Sequence, residues 1–128
     1  MRWFRRRNSP REVFQLHRAD LLKAWFTAAA VSGSPRGLTW LDFTEVGGLV
    51  WVYAATEKVP LVLVPMILQF EPVVGGPLED VPEAREPRPV VAVFRWNRKG
   101  WIADDRAYFN LSPLQMIERS GGTWVAET

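Results

Sequence analysis

The segment "SPREVFQLHRADLLKAWFTAAA", residues 9–30, constrains the fold more than any other. Ser9 reads as an N-cap, Pro10 as the first helical residue and Glu12 as the N3 member of a capping box. Apolar residues then recur at Phe14, Leu21, Trp25 and Ala28, with Leu22, Phe26 and Ala29 alongside. That is a helical period with a wide buried face. Gly33, Pro35 and Gly37 end it. A helix of about 20 residues is roughly 30 Å long. Its apolar face needs a covering surface of similar length, and a β-sheet provides one.

The remainder of the chain supplies that sheet. "LTWLDFT" (38–44) and "LVWVYAA" (49–55) read as strands, with "EVGG" between them as a hairpin turn. "LVLVPMILQFE" (61–71) is a third strand. Pro65 has no N–H to give a ladder, which implies a bulge or an edge position. "VVAVFRW" (90–96) follows, "NRKG" turns the chain, and "WIA" and "AYFN" are strand pieces around an Asp104–Asp105 corner. "NLSPLQM" then reuses the helix-entry device. Ser112 is the cap, Pro113 takes N1, Gln115 takes N3, and Leu111 and Met116 form a hydrophobic staple. Gly121-Gly122 stops this short helix, and "TWVAE" returns as a last strand. The expected fold is α+β. A long N-terminal helix packs on one face of an antiparallel sheet of about five to six strands, with a short second helix near the C-terminus.

Residues 1–8 read as a basic aromatic tail and 9–128 as a single domain. At 48% hydrophobic, with seven Trp and seven Phe, that domain can build its own core. The longest apolar run, "VPLVLVPMIL", has ten residues and two prolines, against about 20 apolar residues for a membrane span. No apolar run follows "MRWFRRR", so a secretory signal is not expected and the cytoplasm is the expected location.

Composition removes several chemistries. Without cysteine there is no disulfide, thiolate zinc site or cysteine nucleophile. With one histidine, a transition-metal site would need unusual carboxylate help, and neither metal nor cofactor is expected. Ser9 and Ser112 are explained as caps, and neither sits in a G-x-S-x-G elbow. "RWNRKGW" interleaves cations with aromatics, as single-strand nucleic-acid binders do. The charge of the domain argues against that partner. Net charge is +2, but residues 1–11 hold five arginines and no acid. The rest holds 11 basic and 14 acidic residues, a net of −3.

Two segments stand out as candidates for partner binding. In the tail, Trp3, Phe4, Arg5, Arg6 and Arg7 suit an acidic protein groove, or weak contact with an anionic membrane surface that would make the protein peripheral to the membrane. The other is "PVVGGPLEDVPEAREPRP" (72–89), a Pro-rich acidic loop with five prolines that withhold ladder donors. Glu79, Asp80, Glu83 and Glu86 prefer water, while Val73, Val74, Leu78 and Val81 can anchor. The expectation is a loop tethered at its start, mobile around residues 79–88, and ordered by a basic partner.

"FEPVVGGPLEDVP", "AVFRW" and "DDRAYFNLSP" resemble blocks in a family of short, uncharacterised bacterial conserved proteins. The resemblance covers about residues 68–118, implies no catalytic residue, and makes the Gly-Gly-acidic loop a recurrent feature. The leading expectation is thus a non-catalytic cytoplasmic module that binds a protein or peptide. The alternative is a small-molecule binder or isomerase-like enzyme with a pocket between the helix and a curved sheet. Its polar candidates are His17, Asp42, Tyr53 and Asp104. That alternative requires an open space where Trp25, Trp40 and Phe43 would otherwise pack.

Overall fold

The computed structural model describes residues 8–32 and 37–127. Helix α1 spans Pro10–Ser32, and the Ser9 hydroxyl accepts the Glu12 N–H at 3.2 Å, as the cap requires. Seven strands follow, all paired antiparallel: β1 (Leu38–Glu45), β2 (Val50–Ala54), β3 (Pro60–Pro72), β4 (Arg88–Asn97), β5 (Gly100–Ala103), β6 (Tyr108–Phe109) and β7 (Trp124–Ala126). Helix α2, Pro113–Arg119, lies between β6 and β7. Its capping box at Ser112 and Gln115 is complete in both directions. The fold is α+β.

Strand β3 organises the sheet. One flank pairs with β4 from Leu61 to Leu68. The other pairs with β2 near its start and with β1 near its end. Strands β1 and β2 therefore run in the same direction along one flank, and the hairpin expected at "EVGG" does not form. The reason lies across the ladder. Val46 N–H donates to Pro65 O at 3.0 Å, and proline has no N–H to return. The flanking strand breaks opposite that missing donor, and Gly47, at φ +71°, lets the chain step past it. Pro65 thus sits in a central, unbroken strand, not at an edge or in a bulge of its own. The bulge is in β1, between Trp40 and Asp42.

Burial along β3 records what covers each face. Leu61, Val62, Leu63 and Val64 are all buried, whereas from Met66 to Glu71 burial alternates. Helix α1 covers one face along its length, with Phe14, Leu22, Trp25 and Ala29 as its buried stripe. Ala28, expected in that stripe, is exposed. Phe14 packs edge-on against Trp51, Phe94 and Trp101. Two indole N–H groups tie the helix down: Trp101 to Pro10 O at 2.8 Å, and Trp25 to Arg106 O at 3.1 Å. Arg18, one turn after Phe14, reaches Glu45 on β1. Helix α2 is short and covers only the start of the other face, where Met116 packs with Val52, Leu61, Leu63, Val91 and Val93.

Candidate binding surface

The space between α1 and the sheet is filled. The Trp25 ring centroid lies 6.5 Å from that of Trp40, tilted, and 6.4 Å from that of Phe43, edge-on, and no polar or charged side chain among the described residues is buried. The polar candidates for a pocket there do not converge. His17 is exposed on α1. Asp42 is exposed at the β1 bulge, where its Oδ1 accepts the N–H of Phe43 at 2.8 Å. Tyr53 sits half-buried on β2, opposite Pro60 and Val125. Asp104 shapes the loop after β5, accepting the Arg106 N–H at 3.0 Å and the Tyr108 hydroxyl at 2.6 Å. Burial, and then that bond to Asp104, push the Tyr108 phenol up to about 12. Asp105 adds a smaller electrostatic push in the same direction, and its carbonyl accepts the Ser32 hydroxyl. Among the described residues no group of three or more His, Cys, Asp or Glu is placed to hold a metal. No helix among them is long and apolar enough to cross a membrane.

The "RWNRKGW" stretch is the β4–β5 hairpin. Trp96 and Trp101 pair across it with ring centroids 5.4 Å apart, and Asn97 Oδ1 accepts the N–H groups of Lys99 and Gly100. Arg95 is engaged by Glu57. The cations are hairpin furniture.

The segment between β3 and β4 is different. It runs through successive turns into a single 3-10 turn, Pro82–Arg85, that packs on β3 with Ala84 buried. Both ends also reach the sheet, since Pro72 pairs with Leu38 and Pro89 with Ile67. Prolines hold ladder positions there because each needs to give no N–H at a strand end. The segment is a strap. Its start is fixed by the Val73 N–H to Gly37 O at 2.8 Å. Gly37 has φ +89°, and a Cβ there would lie 3.3 Å from Pro77, so glycine allows the close approach.

Under the strap lies a hollow of about 380 Å³, lined by Leu38, Leu78, Val81, Ala84 and Phe109, with Glu83 and Arg88 at its rim. Arg88 turns its guanidinium toward the strap backbone, reaching Glu83 O at 3.5 Å. Glu79, Asp80, Glu83 and Glu86 are all exposed on the strap, Glu83 lines the hollow, and Glu79 Oε2 accepts the Gly75 N–H at 2.8 Å. Residues 71–89 hold five acids and two arginines, a net of −3. Residues 9–128 hold 14 acids and 12 bases, a net of −2, so the strap accounts for all of the domain's acidic excess. An apolar hollow beside concentrated, solvated carboxylates is equipped to take an apolar side chain flanked by cations.

Leu78 and Val81 were legible as anchors, but Leu38 and Phe109 were not, because only the sheet brings their distant segments together. A second hollow, of about 400 Å³, opens on the other side of the sheet beside Tyr108, Leu111, Met116, Arg119 and Trp124. It has no comparable concentration of charge. The tail residues Trp3, Phe4, Arg5, Arg6 and Arg7 lie outside the described residues. Compared with protein-family models, with curated proteins and with solved structures, the chain gives no match.

Proposed function

We propose that this protein is a non-catalytic module that binds a basic segment of a protein or peptide through the strap. The observation that carries the reading is the coincidence of the apolar hollow with the domain's entire acidic excess. The hollow takes an aromatic or aliphatic anchor, and Asp80, Glu83 and Glu86 steer and orient the flanking cations. Because Ala84 and the 3-10 turn are already packed, the surface is preformed and binding does not have to order it.

A fluorescent peptide with one tryptophan and three or four arginines tests this by anisotropy. Binding should weaken steeply between 50 and 300 mM salt, as exposed charges are screened over about 10 Å at 0.1 M. Replacing Asp80, Glu83 and Glu86 together by Lys should weaken it at least tenfold. Equal affinity for the wild type and this variant, or for a peptide of opposite charge, would overturn the reading.

A further inference from the structure

We infer that the basic partner of the strap is the protein's own N-terminal segment, Trp3 to Arg7, supplied by a second copy of the chain. This rests on the reading of the strap given above. The segment has the required chemistry in the required order: two aromatic side chains, Trp3 and Phe4, followed directly by Arg5, Arg6 and Arg7. Its charge is opposite to that of the strap, and the rest of the domain carries no acidic excess once the strap is set aside, with nine acids and ten bases in residues 9–70 and 90–128.

Topology places Ser9, from which the tail extends, and the strap toward opposite ends of the described residues. Pro10 lies against Trp101, and Ser9, Pro10, Trp51 and Pro60 share one surface depression. The strap lies toward the other end of α1, where Val73 and Pro77 meet Gly37. The strand β3 repeats the separation, with Pro60 at the tail's end and Pro72 at the strap's end. Helix α1 has 23 residues and so runs about 35 Å. Trp3 lies six residues before Ser9, which allows a reach of about 21 Å even when fully extended. Seating Trp3 in the hollow of its own molecule would need the tail stretched to its full length with no slack, so a second copy is the better donor. Two copies lying antiparallel satisfy both contacts at once, each giving a tail and receiving one.

The test uses full-length chains in sedimentation velocity. The wild type should show reversible self-association that rises with concentration and fades with salt. A tail variant (Arg5→Glu, Arg6→Glu, Arg7→Glu) and a strap variant (Asp80→Lys, Glu83→Lys, Glu86→Lys) should each be monomeric. Mixed together they should associate, because an acidic tail then meets a basic strap and a basic tail an acidic one. This complementation also shows that neither variant has simply misfolded. Wild type that stays monomeric, or two variants that fail to complement, would overturn the inference. A synthetic peptide, MRWFRRRN, separates the two readings. If other basic aromatic peptides bind the strap while the chain stays monomeric, the strap reading stands and self-docking falls. If no basic peptide binds, both fall. Loss of binding to phosphatidylcholine vesicles containing phosphatidylserine in the tail variant, with self-association unchanged, would assign the tail to a membrane and overturn the inference.

Discussion

Removing a single oxygen, by Tyr108→Phe, isolates the contact that closes the loop between β5 and β6. The ring of Tyr108 packs in the second core cluster and its hydroxyl donates to Asp104 Oδ2 at 2.6 Å. The variant keeps the ring and loses only that bond. A hydrogen bond to a charged acceptor contributes about 1.5–3 kcal/mol when buried, and this one is half exposed, so about 1 kcal/mol is expected at pH 7. That corresponds to a fall of roughly 3–5 °C in Tm for a chain of this size. The pH dependence has a definite sign. The folded phenol titrates at about 12 and the unfolded one near 10.0, so the folded state holds that proton more tightly. The advantage of the wild type over the variant is fully present below pH 10 and is lost as pH rises through about 12. Urea midpoints for both proteins at intervals from pH 7 to pH 12 measure it, with Tyr53 common to both chains. Equal stability at pH 7, or a difference that stays constant to pH 12, would refute the reasoning.

Ser112→Ala breaks a complete capping box and should cost about 1 kcal/mol, read as a lower denaturant midpoint at constant m-value. Phe14→Ala should cost about 3–5 kcal/mol, because Phe14 is fully buried and meets Trp51, Phe94 and Trp101 at once. In limited trypsin digestion, cleavage after Arg98 or Lys99 at the β4–β5 turn should precede cleavage after Arg85, the strap bond open to trypsin, since Arg88 is followed by Pro89. Arg88 is paired with Leu68 and Arg85 closes a packed 3-10 turn, so early cutting in the strap would contradict that packing.

What depends on local chemistry was readable in the chain. The Ser9 and Ser112 caps, the β4–β5 turn at Asn97 and the apolar runs of β3 and β4 are each written within a few residues. What depends on pairing was not. "EVGG" has the composition of a hairpin turn, and only the proline across the ladder explains why the chain continues along the same flank. Pro65 was legible as a residue that withholds a donor, but which strand would yield to it is a property of the sheet. Composition likewise marked residues 72–89 as an excursion but suggested mobility. Ala84, the residue that packs it down, carries no signal in a sequence. The acids were visible, while the hollow beside them needed Leu38 and Phe109 to be brought together by β1 and β6.

The central claim, that the strap and its hollow form the binding surface, is tested most directly by mapping. A ¹⁵N-labelled sample titrated with the arginine-rich, one-tryptophan peptide reports which backbone amides feel the ligand. The account predicts shifts confined to residues 78–88, Leu38 and Phe109, saturable and suppressed by salt. Shifts centred instead on Tyr108, Met116 and Trp124, or no saturable shifts at all, would contradict it.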